Sequence, residues 1–328
     1  MKTVVMGIDV SAVRLELAAR VDGSLVRKSV ANDAAGHRQL IGELQKFGMA
    51  RVVMEATGIY GIDLALALDE AAGIELMVAN PRAVRAFAKS LLQRSKTDRA
   101  DALAILEFAE RMPFHAWRRP SKQAFALRAI SRRIYAVNDM IRKEKNRDHI
   151  SEHLDALPRS VTQSVARMLR LLEQELERLR ESALKLIADD AALAQKYELL
   201  LSIKGVGNAS AINILGELAL TAPDMSARQW VAHAGLDPRF YDSGTSVHRQ
   251  PHISRQGNKH LRAALYIPAV VAANCEPAVT SFRNELLARG KKKRQTHVAI
   301  MRKLLHAIHG MFVTGRPWDP TRFRPSAA

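Results

Sequence analysis

The chain has 328 residues, enough for about two domains that each bury a core. Its one cysteine, Cys275, excludes an intrachain disulfide and reads as a buried structural thiol in a reducing compartment. No apolar run approaches the roughly 18 residues of a membrane span, and Met1-Lys2-Thr3 leads into a strand pattern without a signal-peptide profile, so a cytoplasmic protein with no membrane partner is expected.

The net charge of +17 is unevenly spread. Residues 1–110 carry 14 basic and 14 acidic side chains, whereas residues 229–328 carry 16 basic and 5 acidic, a local excess of +11. A neutral module followed by a basic remainder fits an enzyme that binds a polyanion, because Lys and Arg neutralise backbone phosphates and release counterions. A membrane surface fits less well, since the basic segments lack an amphipathic anchor with Trp and Phe on one face.

In chain order, the apolar run Val4-Val5-Met6-Gly7-Ile8 predicts a strand closed by Asp9, followed by strands at Val13–Val21 and Leu25–Val30 around an Asp22-Gly23 turn. A helix is expected from about His37 to Lys46, a strand over Arg51–Glu55, a helix over Ile62–Ala72 and a strand over Ile74–Ala79. Helices at Pro81–Leu92 and Asp98–Arg111 complete the section. Three meander strands, then helix, strand, helix, strand, helix, is the order of a ribonuclease-H-type (RuvC-like) α/β domain, assigned to residues 1–112.

Four carboxylates of this section stand where that fold would gather them. Asp9 and Glu55 close buried strands, at the carboxyl ends where open α/β sheets place their sites. Asp98 and Asp101 lie three apart at the start of a helical stretch, so one face projects both. Such a set suits Mg²⁺, which takes hard oxygen ligands, and two ions about 3.5–4 Å apart would clamp both the attacking and the leaving oxygen of a phosphodiester. The competing reading makes Asp98 a helix cap, Asp101 a first-turn acid, and Asp9 and Glu55 ordinary strand-end residues.

A break at Met112–Pro120 precedes long helical patterns over Ser121–Asn146 and Val161–Ile187, within a helical section assigned to 113–198. In the second helix Val165, Leu169, Leu172, Leu176, Leu179, Ala183 and Leu186 step by four and three, a coiled-coil seam whose partner is either the preceding helix or another subunit. Arg128, Arg132, Arg133, Arg142, Lys143, Lys145 and Arg147 on the first helix form either a solvated face or a ridge facing nucleic acid.

The third section, 199–328, reads as mainly α and basic. Ile203-Lys204-Gly205-Val206-Gly207 resembles a helix-hairpin-helix turn, whose backbone N–H groups hold phosphate without reading sequence. Hydroxyls beside Gly244, flanked by Arg239, Arg249, Arg255, Lys259 and Arg262, read as a phosphate-binding loop; no His-Asp partner at a motif spacing marks a serine there as a nucleophile. Lys291-Lys292-Lys293-Arg294 precedes a helix over Val298–Phe312, and the tail from Gly315 reads as extended.

Taken together, Gly7-Ile8-Asp9, Glu55-Ala56-Thr57-Gly58, Lys96-Thr97-Asp98-Arg99-Ala100-Asp101, Ala234-Gly235-Leu236-Asp237-Pro238, Ser243-Gly244 and Gly257-Asn258-Lys259-His260-Leu261-Arg262 resemble, in order and spacing, the DEDD transposases of bacterial insertion sequences, the bridge-RNA-guided recombinases. The resemblance implies that Asp9, Glu55, Asp98 and Asp101 hold Mg²⁺, as two ions with Mn²⁺ as a substitute. It implies further that Ser243 is the nucleophile forming a phosphoserine link to DNA, with Thr245 and Ser246 as alternatives. Donor and target DNA, a structured noncoding RNA from the same element, and a dimer that becomes a tetramer in the synapse are the implied partners, in the bacterial cytoplasm. Two other classes compete: a RuvC-like structure-specific endonuclease that hydrolyses junction DNA with metal-activated water, and a non-catalytic nucleic-acid scaffold.

Overall fold

The computed structural model describes residues 3–55, 58, 60–91, 97–152, 157–243 and 247–323, and within these the side chains of 151–152, 240–243 and 247–250 are not described. The chain divides into two compact units, Met1–Arg119 and Pro120–Ala328.

In the first unit, β1 (Val4–Val10), β2 (Arg14–Val21) and β3 (Ser24–Ala31) form an antiparallel meander, and β4 (Ala50–Glu55) and β5 (Ile74–Ala79) join β1 in parallel. The strand order is β3-β2-β1-β4-β5. The β2–β3 turn is the expected Asp22-Gly23 pair, both at positive φ (48° and 80°), the backbone that a tight two-residue hairpin requires. Helices α1 (Ala34–Gln45), α2 (Ile62–Glu70), α3 (Pro81–Ser90) and α4 (Asp98–Arg111) connect and flank the strands. Helix α1 begins before His37 because the Asp33 side chain accepts from Gly36 N (2.8 Å) and caps it there.

The sheet is buried on two faces, and the alternation of its strands decides which residue meets which helix. Ile8 and Val10 of β1, with Val52 and Met54 of β4, pack with Leu40, Leu44, Leu64 and Leu68 of α1 and α2. The opposite parity carries Val5 towards Ala102 and Leu106, and Val53 towards Ile105 and Phe108, all on α4. Gly7 belongs to this second face. A Cβ there would lie 2.7 Å from Ala102 O and 2.8 Å from the Ile105 carbonyl carbon, so α4 rests directly on the β1 backbone.

In the second unit, α5 (Lys122–Glu152) and α6 (Arg159–Ala188) pack along each other, and Val165, Leu169, Leu176 and Ala183 of the heptad seam are buried in one core with Leu127, Ile134, Val137 and Ile141 of α5. Of the two partners the sequence left open, the preceding helix covers the seam. The same core continues through α7 (Ala191–Leu201), α8 (Asn208–Leu218), α9 (Ala227–His233), α10 (Lys259–Cys275) and α12 (Lys293–Thr314), with α11 (Pro277–Ala288) between the last two. The helical segment and the basic segment therefore share a core.

Three expectations change here. A β-hairpin, β6 (Pro238–Ser243) and β7 (Val247–Ile253), interrupts the helices where a loop was expected. Cys275 is exposed, because it sits on the last turn of α10 beside the buried Ala272 and Ala273 and just before the chain bends at Pro277. The tail is not simply extended, since Pro320–Phe323 makes a 3-10 turn that buries Phe323 in the core. Among the described residues no single helix is long and apolar enough to cross a membrane.

The close approach at Gly7 is testable. Gly7→Ala is expected to destabilise the protein by about 1–3 kcal/mol, because its Cβ meets backbone that only a shift of α4 can move. Thermal or urea unfolding against the wild type measures this, and an unchanged midpoint would show that α4 does not depend on the missing side chain.

Candidate active site

The carboxylates of the first unit meet through local geometry. Gly7 and Asp9 share a face of β1, and Val53 and Glu55 share the matching face of β4, with Gly7 paired to Val53 and Ile8 to Met54. Asp9 and Glu55 are the next residues along each strand, so they end neighbouring parallel strands on the face that α4 covers. Helix α4 starts there. Its cap, Thr97, accepts from Ala100 N (3.2 Å), and Asp98 and Asp101 occupy its first turn, where the positive end of the helix dipole favours acids.

The electrostatic consequence is concentrated on Asp9. Burial raises its carboxyl first, and the charges of Asp101, Asp98 and Glu55 raise it further, against one backbone hydrogen bond at Val10 that lowers it; the outcome is a pKa of about 6. All four sequence candidates are therefore brought together, in the sense that three acids act on the fourth. They are within electrostatic reach and not a closed cage: among the described residues no three His, Cys, Asp or Glu side chains are gathered tightly enough to enclose an ion.

In the second unit the motif residues separate into exposed and structural groups. The Gly235 and Gly257 loops interlock: Arg255 N donates to Gly235 O (3.0 Å), Asn258 N to His233 O (2.6 Å) and Ser254 N to Asp237 O (2.9 Å). A Cβ on Gly257 would lie 2.8 Å from Gly235 N, so the loops have no room for side chains at their crossing. Arg262 is half-buried, and its guanidinium donates to Ala234 O (2.8 Å). Arg239, Arg255 and Lys259 remain exposed.

The crossing supports the hairpin that carries Ser243. Pro238 pairs with Ile253 at its base and Ser243 with Val247 at its far end, so Ser243 borders the turn. The side chains of Ser243 and Arg249 are not described, and Thr245 and Ser246 lie outside the described residues. Between α7 and α8, Lys204 is exposed and 3.9 Å from the buried Glu276 carboxylate. Gly205, at φ 105°, approaches Pro268 O and Ala272 N of α10, and Gly207 starts α8 without a side-chain cap.

Sequence reasoning passed over Glu217, which is 3 % exposed in an apolar helix. Its carboxylate accepts from Arg132 Nε (2.9 Å) and Asn258 Nδ2 (2.6 Å), with Arg128 at 3.9 Å. Burial pushes this carboxyl up, but the hydrogen bonds from Arg132 and Asn258 and the charges of Arg132 and Arg128 leave it below the usual range. Arg128 and Arg132 thus neutralise a buried acid, a role that neither reading of the basic face included. Asn258 also accepts from His260 N and Leu261 N, capping α10. The signal was present in Glu217 itself, an acid flanked by Ile214, Leu215 and Leu218 that a helix must bury with partners.

The chain is similar to known proteins over most of its length. A sequence profile described as "Transposase" matches residues 6–157, and one described as "Transposase IS116/IS110/IS902 family" matches residues 197–283. The "Pilin gene-inverting protein" of Moraxella bovis is 30 % identical over 270 residues, covering 82 % of this chain and 81 % of the relative. The "Insertion element IS110 uncharacterized 43.6 kDa protein" of Streptomyces coelicolor is 29 % identical over 147 residues, 44 % of this chain and 36 % of that protein. Among solved structures, the chain is similar to Thermus thermophilus RuvC in complex with a Holliday junction substrate at 17 % identity and a TM-score of 0.25, covering 32 % of this chain and 90 % of that one.

The raised pKa of Asp9 has a sign that melting experiments can read. Between the ordinary value of 3.8 and about 6 the folded state holds the extra proton, so stability falls as pH rises through that window and the penalty is complete above it. In buffer free of divalent ions, Asp9→Asn is expected to melt above the wild type at about pH 7.5, with the gain vanishing below about pH 4. Added Mg²⁺ should stabilise the wild type more than the variant. Equal melting temperatures at both pH values would show that the four acids do not burden one another.

Proposed function

Because the chain belongs to the insertion-sequence transposase family, whose members act on DNA as transposases and recombinases, we propose that it excises and inserts its element by cutting and rejoining DNA through a serine-linked intermediate. The observation that carries this reading is the convergence of Asp98, Asp101 and Glu55 on Asp9 at the carboxyl ends of β1 and β4. Four acids brought together at a neutral pH are an unfavourable arrangement unless a cation is shared among them.

Asp9, Glu55, Asp98 and Asp101 would hold the metal, Mg²⁺ in this reading, as two ions with Mn²⁺ as a substitute. When bound, divalent metal supplies Lewis acidity to the scissile phosphate and stabilises charge on its attacking and leaving oxygens. Ser243 supplies the nucleophile. Its hydroxyl gives up a proton, its Oγ bonds to phosphorus, and the bond from phosphorus to one deoxyribose oxygen breaks; that oxygen takes up a proton and leaves as a strand-end hydroxyl. Attack on the phosphoserine by a hydroxyl from a second strand reverses the sequence and restores Ser243. The position of Ser243 beside the turn of a hairpin clamped by the Gly235–Gly257 crossing favours this role, since an element tip can enter a DNA groove where a core residue cannot.

Strand exchange is favoured over hydrolysis by the likeness to pilin gene-inverting proteins, since inverting a gene requires rejoining what is cut. The exposed Lys204, Arg239, Arg255 and Lys259 would hold phosphate backbone. Target choice is assigned to pairing with a structured noncoding RNA, which leaves the protein to recognise shape and backbone. The low aromatic content, 5 %, agrees with a protein that reads few bases by stacking. Assembly as a dimer, and a tetramer on paired DNAs, would bring acids and serine of different subunits to one phosphate.

Ser243→Ala is expected to abolish the covalent protein–DNA adduct and lower strand exchange at least about a thousandfold, while Thr245→Ala and Ser246→Ala retain both. Denaturing gels of labelled element ends measure this. Continued cutting by Ser243→Ala without an adduct would identify a hydrolase that activates water. A separate measurement addresses guidance: RNA that copurifies with the protein is expected to map to the flank of its own element, and the absence of any such RNA, with DNA binding indifferent to added flanking transcript, would remove the guided reading.

A further inference from the structure

The end of the chain builds a second site, remote in sequence from the acids and from Ser243. Helix α12 stops at Gly315, whose φ of 67° is the left-handed turn that ends many helices. The chain then folds back: Trp318 N donates to Ser202 Oγ (2.8 Å), and Phe323 is buried. Between this returning segment, the outer face of α12 and Phe282 of α11 lies a cleft of about 890 Å³, within the range of small-molecule and cofactor sites.

Its lining combines two chemistries. One is aromatic: the Trp318 and Phe323 rings lie 5.7 Å apart and the Phe282 and Phe323 rings 5.8 Å apart. Lys303 braces this layer, donating to Phe323 O (2.7 Å) and lying 4.6 Å over Phe282 and 5.1 Å over Phe323. The other is cationic. Arg302 and His306, one helical turn apart on α12, share the cleft with Arg316 and Arg322, and the one carboxylate in its lining among the described residues, Asp319, pairs with Arg322 at 3.3 Å. Burial and the charges of Arg302, His309, Arg228 and Lys303 hold His306 below its ordinary pKa, which marks the local field as positive.

Two donors are left over. Arg302 Nε and Trp318 Nε1 are buried with no hydrogen-bond partner among the described residues. A buried donor without an acceptor costs about 1–3 kcal/mol, so the cleft is short of acceptors and of negative charge while offering flat apolar surface. An acidic peptide would satisfy the charge and leave the rings unused. A nucleotide satisfies both, since its base has a π-face and its phosphate carries acceptor oxygens.

We propose that this cleft takes one unpaired nucleotide of a polynucleotide strand, its base against Trp318, which the buried Phe323 backs, and its phosphate towards Arg302 and Arg316. The proposal rests on the family's action on DNA and is independent of the role given to Ser243. It applies to an unpaired base of DNA or of RNA, and the two are separated by the probe.

The test uses the full chain and a single-stranded oligothymidylate carrying one 5-iododeoxyuridine, with the uridine counterpart as the RNA probe. Ultraviolet crosslinking followed by peptide mapping is expected to place the adduct on the peptide that contains Trp318. Trp318→Leu is expected to weaken the single strand about tenfold relative to a duplex of equal length. Arg316→Glu, at an exposed position that folding does not depend on, should weaken it in the same selective way. The stronger of the DNA and RNA crosslinks identifies the natural strand. Adducts that map elsewhere, single-strand affinity unchanged in both variants, or equal displacement by polyglutamate of matched charge would each overturn the proposal. If the wild type binds duplex well and only these results fail, the cleft assignment alone is wrong; if it binds neither duplex nor single strand, the DNA-acting reading falls with it.

Discussion

The absence of a side chain at Gly7 decides where the chemistry of the first unit can be. With no Cβ in the way, α4 lies against the backbone of β1, and the contact at Ala102, Ile105 and Leu106 fixes its height as well as its distance. One turn further towards its start, the same face carries Asp98 and Asp101, while two residues further along the strand the same parity carries Asp9. A larger residue at position 7 would push the helix outward and carry two of the four acids with it. The site is therefore held by packing well below it, and the acids themselves contribute repulsion.

That repulsion shapes the rest. Asp9 is both desolvated and surrounded by like charge, so the fold spends some stability on the cluster, and the adjoining apolar layers of Ile105, Phe108, Val53 and Met77 supply the compensation. The second unit handles charge in the opposite way. Its buried acid, Glu217, is matched by Arg132 and Asn258, and through Asn258 the cap of α10 and the loop leading out of β7 are fixed to α5 and α8. A neutralised buried acid makes a rigid joint, whereas like charges crowding Asp9 make a locus that a bound cation would relieve.

Much of this was legible from residues alone where one local rule dominated. Asp22-Gly23 demanded a tight hairpin, Asp98 and Asp101 announced the start of α4 although its cap is Thr97 and not Asp98, and the strands stop at or one residue past Glu55 and Asp9, where apolar runs end. The cause of their convergence was not legible, because Gly7 in a strand reads equally as a weak point or a close approach. The hairpin at 238–253 was hidden by Pro238, Pro251 and its charges, which an isolated two-stranded ribbon tolerates since each strand is an edge. Arg128 and Arg132 look like any exposed basic stripe until the acid opposite them, 85 and more residues on in sequence, is known. Such pairings depend on tertiary contacts, which periodicity does not encode.

The contrast between the two units extends to how charge is distributed along the sequence. A phosphodiester is an anion, and four carboxylates repel it unless cations intervene at close range. Placing the Lys and Arg excess beside the acids would neutralise them by salt bridges, as happens at Glu217, and would remove the ligands that a divalent ion needs. The +11 excess falls within residues 229–328, while residues 1–110 stay neutral overall, so the field that would attract nucleic acid comes from the basic segment. Because screening limits such a field to about 10 Å at moderate ionic strength, the attraction acts on strands already near the basic unit and leaves discrimination to short-range contacts. Division of charge along the sequence thus suits both the binding and the metal chemistry proposed for the chain, which an evenly mixed sequence would not.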